Sequence, residues 1–294
     1  MIVWLNYNSE KIIDIVLESL RSIAELDYEN YSLLVIDNGS RDKSIDIIKS
    51  FIEHNPELQY RSKIIELEHN LGFTGAHNIA WKYITNKLSE AKYLVLVNND
   101  AILYRESLSK LIELLANMPR TCGIQGIIEL GNTNHVDNFG AYMDELLRVY
   151  HYMAFRDVNE VPRKCFAVTY VNGAYAIYRI DNLKKLILIG NDLFPTNAFA
   201  YFDDDLLGIL AYINDMNMLA IPVKAAKHYV SMTFKLTGTR NYLRLRSYIA
   251  KGLLVKIRHV PEVLLYATRT ALKLSSYALR RNINEAKIIT RSVI

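Results

Sequence analysis

The chemistry this 294-residue chain could perform is concentrated in three separated groups of oxygen- and nitrogen-bearing side chains: Asn98-Asn99-Asp100, Asp203-Asp204-Asp205 and His228. A hard divalent cation such as Mg²⁺ or Mn²⁺ takes one or two carboxylates together with substrate phosphates. Asp100 can supply a carboxylate and Asn98 a neutral oxygen; a capped turn would use the same residue types. In "YFDDDLLG" the three acids cannot all face one ion, because successive residues at a helix start point in different directions. A solvated acidic helix start, complementing the macrodipole, is one account of the run. A general base is the other, and it needs only one carboxylate, ionised and aimed at a hydroxyl. His228 stands 24 residues beyond Asp204, in "AAKHYVS". Isolated histidines are mostly structural, so His228 gains meaning only if the fold turns it toward Asp100.

Two further stretches are weaker alone. In "VIDNGSRDKS" Asp37 ends an apolar run, Gly39 permits a tight turn, and Ser40 and Asp42 are placed to cap the next helix. This is either a plain strand-to-helix turn or an acid that receives hydrogen bonds from a base or ribose. "HNLGFTGAHN" carries Gly72 and Gly75 between Asn70 and Asn78. It lacks the G-x-G-x-x-G spacing of dinucleotide sites. Its glycines either make a turn or let backbone N–H groups approach a phosphate.

These residues need a scaffold, and the first hundred residues alternate strand and helix patterns. "IVWL" precedes "SEKIIDIVLESLRSIAEL", an apolar stripe at helical spacing with Ser9 as candidate N-cap. "SLLVID" precedes "IDIIKSFIEHN", "KIIELE" precedes "AHNIAWKYITNKL", and "KYLVLVNNDAIL" holds a run apolar enough to be covered on both faces. Strands separated by helices predict a parallel sheet with right-handed crossovers. The carboxyl ends of such strands are where open α/β sheets bind ligands, and Asn98 to Asp100 fall there. Farther on, "CGIQGIIEL" and "KCFAVTYVNGAYAIYRI" read as strands, Tyr142 to Arg156 as an inserted hairpin, and "DDDLLGILAYINDM" as a helix.

Composition narrows the class. A hydrophobic fraction of 51% supports a real core and argues against disorder. The two cysteines, Cys122 and Cys165, have no metal-ligand spacing and are expected to be buried apolar filler in a reducing compartment. No long uncharged apolar run exists, and "MIVWLNYNS" turns polar too early for a secretory leader, so neither a spanning helix nor a signal peptide is expected. From Lys235 onward there are 13 Lys or Arg against Glu262 and Glu285, whereas the body before it is net acidic. Arg240 to Arg281 reads as two amphipathic helices broken at Pro261.

Taken in order, "VWLNYNSEKII", "VIDNGSRDKS", "HNLGFTGAHNIA", "LVNNDAIL", "VNGAYAIYR", "YFDDDLLG" and "IPVKAAKHY" resemble the family 2 glycosyltransferases, in their rhamnosyltransferase-like branch. The resemblance covers roughly residues 1 to 235. It implies the GT-A fold: a Rossmann-like, mostly parallel central sheet flanked by helices. The expected catalytic domain is 1–235, with a nucleotide-binding half (1–100) and an acceptor-binding half (101–235), followed by a basic helical extension at 236–294. By the same resemblance Asp37 contacts the base of a nucleotide-sugar, with Asn6 and Asn8 in the loop beside it. Asn70, Gly72, Gly75, Asn78, Asn98, Asn99 and Gly173 complete the donor site. Asp100 and His228 hold Mg²⁺ or Mn²⁺, and Asp204 is the base, with Asp203 fixing its position. Asn98 stands where the family has the first acid of Asp-x-Asp, and Leu206 where it has the last acid of Glu-Asp-x-Asp.

The implied reaction is inverting transfer of a hexosyl or deoxyhexosyl group from a UDP-, dTDP- or GDP-linked donor to a hydroxyl of a glycan or lipid-linked glycan. The expected location is cytoplasmic, peripheral on the cytoplasmic face of the membrane if the basic tail meets anionic headgroups. The same tail could simply pack on the body with its Lys and Arg solvated. Nucleic acid is not expected, since no recognised binding motif accompanies the charge. A sugar nucleotidyltransferase is the alternative enzyme, but it would want a basic Gly-rich loop where this chain has Asn6-Tyr7-Asn8-Ser9. A catalytically silent glycan-binding or assembly subunit is the alternative from another class, and the absent acids at 98 and 206 suit it.

Overall fold

The computed structural model describes residues 1–144, 149–186, 192–194, 199–200 and 203–229. In chain order the strands are β1 (Ile2–Asn6), β2 (Leu33–Asp37), β3 (Ser62–Glu66), β4 (Tyr93–Asn98), β5 (Ala101–Leu103), β6 (Thr121–Leu130), β7 (Val136–Asn138), β8 (Ala141–Met143), β9 (Val149–His151), β10 (Phe166–Val168), β11 (Tyr175–Arg179) and β12 (Asn217–His228). The helices are α1 (Ile13–Ala24), α2 (Ser44–Glu53), α3 (Pro56–Arg61), α4 (Gly72–Lys87), α5 (Ser107–Ala116), α6 (Ile180–Leu186) and α7 (Asp203–Ile213).

Ten strands make one sheet in the order β10-β12-β6-β11-β4-β1-β2-β3, with β5 added to β12 and β7 to β6. β1 to β4 run parallel, β11 is antiparallel to its neighbours β4 and β6, and β6 and β12 are again parallel to each other. Alternating residues feed the two faces. Val3, Leu34, Leu94 and Leu96 pack with Trp81 of α4, Leu183 of α6 and Leu207 of α7. Trp4, Val35, Val95 and Val97 pack with Leu20 of α1, Ile48 of α2 and Leu111 of α5. Helices cover both faces, so β4 needs no polar alternation. The expected mostly parallel sheet flanked by helices is the architecture observed. β4 and β11, on either side of residue 100, share one ladder.

The interruption at Asn98-Asn99-Asp100 has a topological cause. β4 ends at Asn98, a turn occupies 99–100, and the chain re-enters the same sheet as β5 against β12. Ala101 and Leu103 are therefore buried again. The hairpin expected within 142–156 is present as β8 paired antiparallel with β9.

Two local expectations need correction. Ser9 does not cap the first helix; its hydroxyl donates to Asn6 Oδ1 at 2.5 Å, and a 3₁₀ turn (Glu10–Ile12) leads into α1. Cys122 is buried as expected, but Cys165 is exposed, because it sits in the loop entering β10 at the edge of the sheet. Among the described residues no helix is long and apolar enough to cross a membrane. The two basic helices expected in 240–281 lie outside the described residues.

Candidate functional site

The register builds the site. Parallel pairing sets Asn6 beside Asp37 and Leu5 beside Asn98, so the carboxyl ends of β1, β2 and β4 form one rim. β12 arrives from a distant part of the sequence, and its last residue, His228, pairs with Ala101 of β5. That register brings the imidazole to Asp100: His228 Nε2 lies 3.1 Å from Asp100 Oδ1, and 3.5 Å from Asn98 Nδ2. Nδ1 of the same ring lies 2.8 Å from Oδ2 of Asp137, at β7. Both His228 and Asp100 are buried. Burial opposes a charged imidazole, but the charge of Asp100, the hydrogen bonds to Asp100 and Asp137, and the charge of Asp137 together outweigh it. The pKa is pushed up to about 10.

Next to this group lies the segment before β11. Asn98 N donates to Ala174 O at 3.1 Å, so the end of β4 is tied to the residue after Gly173. Gly173 N in turn donates to Asp204 Oδ2 at 3.0 Å. A Cβ on Gly173 would stand 3.0 Å from Asp204 Oδ1, which is why this position suits a residue without a side chain. Of the three successive acids that open α7, Asp203 and Asp205 are buried and Asp204 is only partly so. Their divergence on a helix thus leaves Asp204 the least buried of the three, with its Oδ1 turned inward.

The other predicted donor-site residues form two hydrogen-bonded loops on the same side of the sheet. Asn6 Nδ2 donates to Asp37 Oδ1 at 2.8 Å and to Ser44 Oγ at 3.0 Å; Ser40 Oγ and Ser40 N donate to the two oxygens of Asp37 at 2.6 and 2.9 Å. Asn8, with φ of 46°, closes the loop by donating its N–H to Ser40 Oγ and accepting from Arg41 N. Asp37 is only 3% exposed and organises this loop through those hydrogen bonds. The expected cap of α2 by Ser40 or Asp42 is not made: the N-cap position is Lys43, without a side-chain cap bond, and Asp42 accepts from Ser44 N at 3.1 Å just ahead of the helix. Asn98 and Asn99 stand on the rim, Asn99 largely buried.

The glycine segment departs from the phosphate-cradle expectation. Three of its donors are already paired within the protein: Leu71 N on Asn38 Oδ1, Gly72 N on Asn70 Oδ1 and Thr74 N on Phe199 O. Gly72 has φ of 76°, and any Cβ there would meet Phe199 O at 2.4 Å; close backbone approach demands this glycine. Gly75 lies within α4 against Leu71. Asn78 is placed away from the rim: both ends of its amide clamp the backbone of Phe194, at 2.8 Å each. Asn78 and Gly75 are therefore structural parts of α4.

The model for "Glycosyl transferase family 2" matches residues 2–186, more than half of the chain. The chain belongs to glycosyltransferase family 2. A protein described as an uncharacterized glycosyltransferase, from Haemophilus influenzae, is 30% identical over 124 residues. That match covers 42% of this chain and 35% of the relative, so this family 2 chain spans about a third of the relative's length. Among solved structures, the mannosyltransferase PcManGT of Pyrobaculum calidifontis, crystallised with GDP-Man and Mn²⁺, aligns with a TM-score of 0.58 at 16% identity, covering 99% of this chain and 72% of that one. S. aureus TarS 1-349 with UDP-GlcNAc aligns at 0.59 and 19% identity, covering 99% and 78%. At such identities the likeness establishes the GT-A fold.

The donor set of this family 2 chain fits a divalent cation. One carboxylate and one imidazole at the rim, with the far nitrogen of the imidazole held by Asp137, form a pattern that sets the direction of a ligating histidine, which would bind a cation through Nε2 on giving up the proton that the two carboxylates favour. Among the described residues no three His, Cys, Asp or Glu side chains form a ready cage around one point; at the rim Asp100 and His228 are the two placed to meet a cation. Sequence reasoning missed Asp137 and Asn38. Asp137 sits in "NTNHVDNFG", where nothing in the pattern points 91 residues ahead to His228. Asn38 follows Asp37 directly, and its amide, reaching Asn70 Oδ1 at 2.9 Å and Gly72 O at 3.1 Å, is what joins the two loops.

Proposed function

We propose that this chain is a metal-assisted, inverting glycosyltransferase that moves a hexosyl or deoxyhexosyl group from a nucleotide-sugar to a hydroxyl of a glycan or lipid-linked glycan. The observation that carries the reading is the approach of His228 to within 3.1 Å of Asp100, at the rim that also holds Gly173 and Asp204. The nucleotide-sugars bound by the two solved neighbours, GDP-Man and UDP-GlcNAc, support a UDP-, dTDP- or GDP-linked donor.

In this reading Asp100 and His228 hold Mg²⁺ or Mn²⁺, and Asp137 keeps the imidazole turned to the rim. When bound, the cation supplies positive charge against the diphosphate of the departing nucleotide. Asp204 takes the proton from the acceptor hydroxyl as that oxygen attacks the anomeric carbon. Attack from the side opposite the leaving group inverts the centre. Gly173 N–H holds Oδ2 of Asp204 and so sets the direction of its other oxygen, while Asp203, buried at the start of α7, anchors the turn behind it. The loops of Asn6, Asn8 and Asp37, and of Asn70 and Gly72, shape the donor side of the rim together with Asn98 and Asn99. The tail, with 13 Lys or Arg against two Glu, would draw the enzyme to an anionic cytoplasmic membrane face carrying a lipid-linked acceptor.

The test is nucleotide release from UDP-N-acetylglucosamine, dTDP-rhamnose and GDP-mannose, with and without Mn²⁺. Turnover should require the metal. Asp204→Asn should lower transfer by about 10²-fold or more while donor binding is kept; full transfer by that variant removes Asp204 as the base. The absent acids at 98 and 206 keep the silent-subunit reading in play, and nucleotide binding with no turnover on any acceptor would favour it.

A further inference from the structure

β6 carries a fully buried amide in its interior. Cys122, Ile124, Ile127 and Ile128 make it a buried apolar strand, yet Gln125 lies among them with 0% exposure. An amide sealed in such a place is costly unless both ends are paired, and both are. Oε1 accepts from Asn172 N at 2.7 Å, and Nε2 donates to Asn138 Oδ1 at 2.8 Å. The orientation is forced rather than chosen. Asn172 presents a backbone N–H, so the Gln125 oxygen must face it. Asn138 Oδ1 already accepts Gly140 N at 2.9 Å, so it can meet Gln125 only as an acceptor.

The two partners of Gln125 lie next in sequence to opposite arms of the site. Asn172 precedes Gly173, whose N–H holds Asp204. Asn138 follows Asp137, which holds His228 against Asp100. A continuous line thus runs from Asp204 through Gly173, Asn172, Gln125, Asn138, Asp137 and His228 to Asp100. Each link is a hydrogen bond, an ion pair or a single peptide bond. His151 on β9 joins the same line through Asn138 Nδ2 at 2.5 Å, so the inserted hairpin is tied to it as well.

We infer that Gln125 is a positioning residue that fixes the base-bearing arm and the cation-bearing arm of the rim at a set separation. It touches neither substrate nor cation. The inference rests on the glycosyltransferase reading for its catalytic consequence, while its structural content stands apart from that reading.

Two variants of the full chain test it. Gln125→Leu fills the space and removes both bonds. Gln125→Glu keeps the acceptor for Asn172 N–H, and keeps a donor toward Asn138 only while its carboxyl is protonated. On whichever of UDP-N-acetylglucosamine, dTDP-rhamnose or GDP-mannose the wild type turns over fastest, Gln125→Leu should lower kcat by about 10- to 100-fold, since small misplacements of reacting groups cost on that scale. KM for the donor should stay within about threefold, a limit chosen well below the expected kcat loss. The activity of Gln125→Glu relative to wild type should fall as pH rises, whereas the relative activity of Gln125→Leu should not vary with pH; a generic packing defect would not produce that difference. Amide exchange read by mass spectrometry should quicken at both 137–140 and 171–174 in Gln125→Leu. A kcat for Gln125→Leu within twofold of wild type, or unchanged exchange in either segment, overturns the inference and leaves the proposed function standing. A wild type that turns over none of the three donors removes the proposed function. In that case the exchange result alone decides whether Gln125 joins the two arms.

Discussion

Adding one methyl group at Gly173 tests whether Asp204 acts through the position that the backbone gives it. A Cβ there would lie 3.0 Å from Asp204 Oδ1 and 3.4 Å from Phe73 Cζ, and φ is not in the left-handed region, so the backbone itself tolerates alanine. The contact with Asp204 falls short of ordinary van der Waals separation by about 0.4 Å. The carboxylate must yield by that amount. If a 1 Å misplacement of a reacting group costs about 10²-fold and the loss scales logarithmically with displacement, Gly173→Ala should lower kcat on the order of 5- to 10-fold, about 1 kcal/mol of barrier. The assay is single-turnover transfer, beside thermal unfolding to show that the fold is kept. The decisive arm is a double-mutant cycle: in an Asp204→Asn background the methyl group has no base left to displace, so its effect should vanish. If Gly173→Ala slows the residual reaction of Asp204→Asn by the same factor, its effect does not pass through Asp204 and the assignment of the base fails.

Other outcomes follow from the same geometry. Asp137→Ala removes the charge-assisted bond to His228 Nδ1 and should weaken Mn²⁺ binding by about 10- to 100-fold, read by the paramagnetic signal of unbound Mn²⁺ without any donor present; an unchanged affinity would separate Asp137 from the cation end. His77 is buried between Phe73 and Phe194, and burial lowers its pKa to about 4 despite the hydrogen bond to Phe73 O. The unfolded chain therefore takes up this proton near pH 6.5 while the folded chain does not. Stability is full above that pH and is lost as pH falls from 6.5 toward 4, by at most about 1.4 kcal/mol per pH unit. Urea unfolding at pH 7 and pH 5 should show a drop of roughly 2 kcal/mol from this residue, which His77→Leu removes; an equal drop in the variant would contradict it. Finally, the full chain should sediment with phosphatidylserine vesicles at low salt and be released by about 0.5 M salt, which shortens electrostatic reach, while binding equally to phosphatidylcholine would refute an electrostatic tail.

What the sequence disclosed and what it concealed divide along contact order. The strand ends at Asn6, Asp37 and Asn98 were readable because each closes a local apolar run with a polar residue, and parallel pairing then brings them level. Leu206 and Asn98 were readable as departures for the same local reason. The proximity of His228 to Asp100 was not written in any window. It depends on β5 leaving β4 after a two-residue turn and pairing antiparallel with β12, a register that only the assembled sheet defines. Asp137 and Gln125 were hidden for that reason too, since their partners lie 91 and 47 residues away. Asn78 failed in the opposite sense. Its place beside the glycines suggested a ligand contact, but a helix turns successive residues to different faces, and this one faces Phe194 inside the core.

The distribution of buried polar groups argues that the rim has a task. Asn6, Asp37, Asn38, Asp100, Asn138 and His228 are all nearly sealed from water, and every one of them lies at or beside a strand end on the ligand edge, with Gln125 reaching toward that edge from within β6. The strand interiors are otherwise mainly Val, Ile and Leu, which would fill the same volume without needing partners. Buried polar groups stabilise a fold only when fully paired, and a well-packed apolar substitute often does as well or better. A fold under no demand beyond stability would have little reason to keep an imidazole between two carboxylates at the end of β12. The arrangement is better explained by what it holds in register: a carboxylate and an imidazole on one side of the rim, a second carboxylate on the other, and an amide between them that cannot turn.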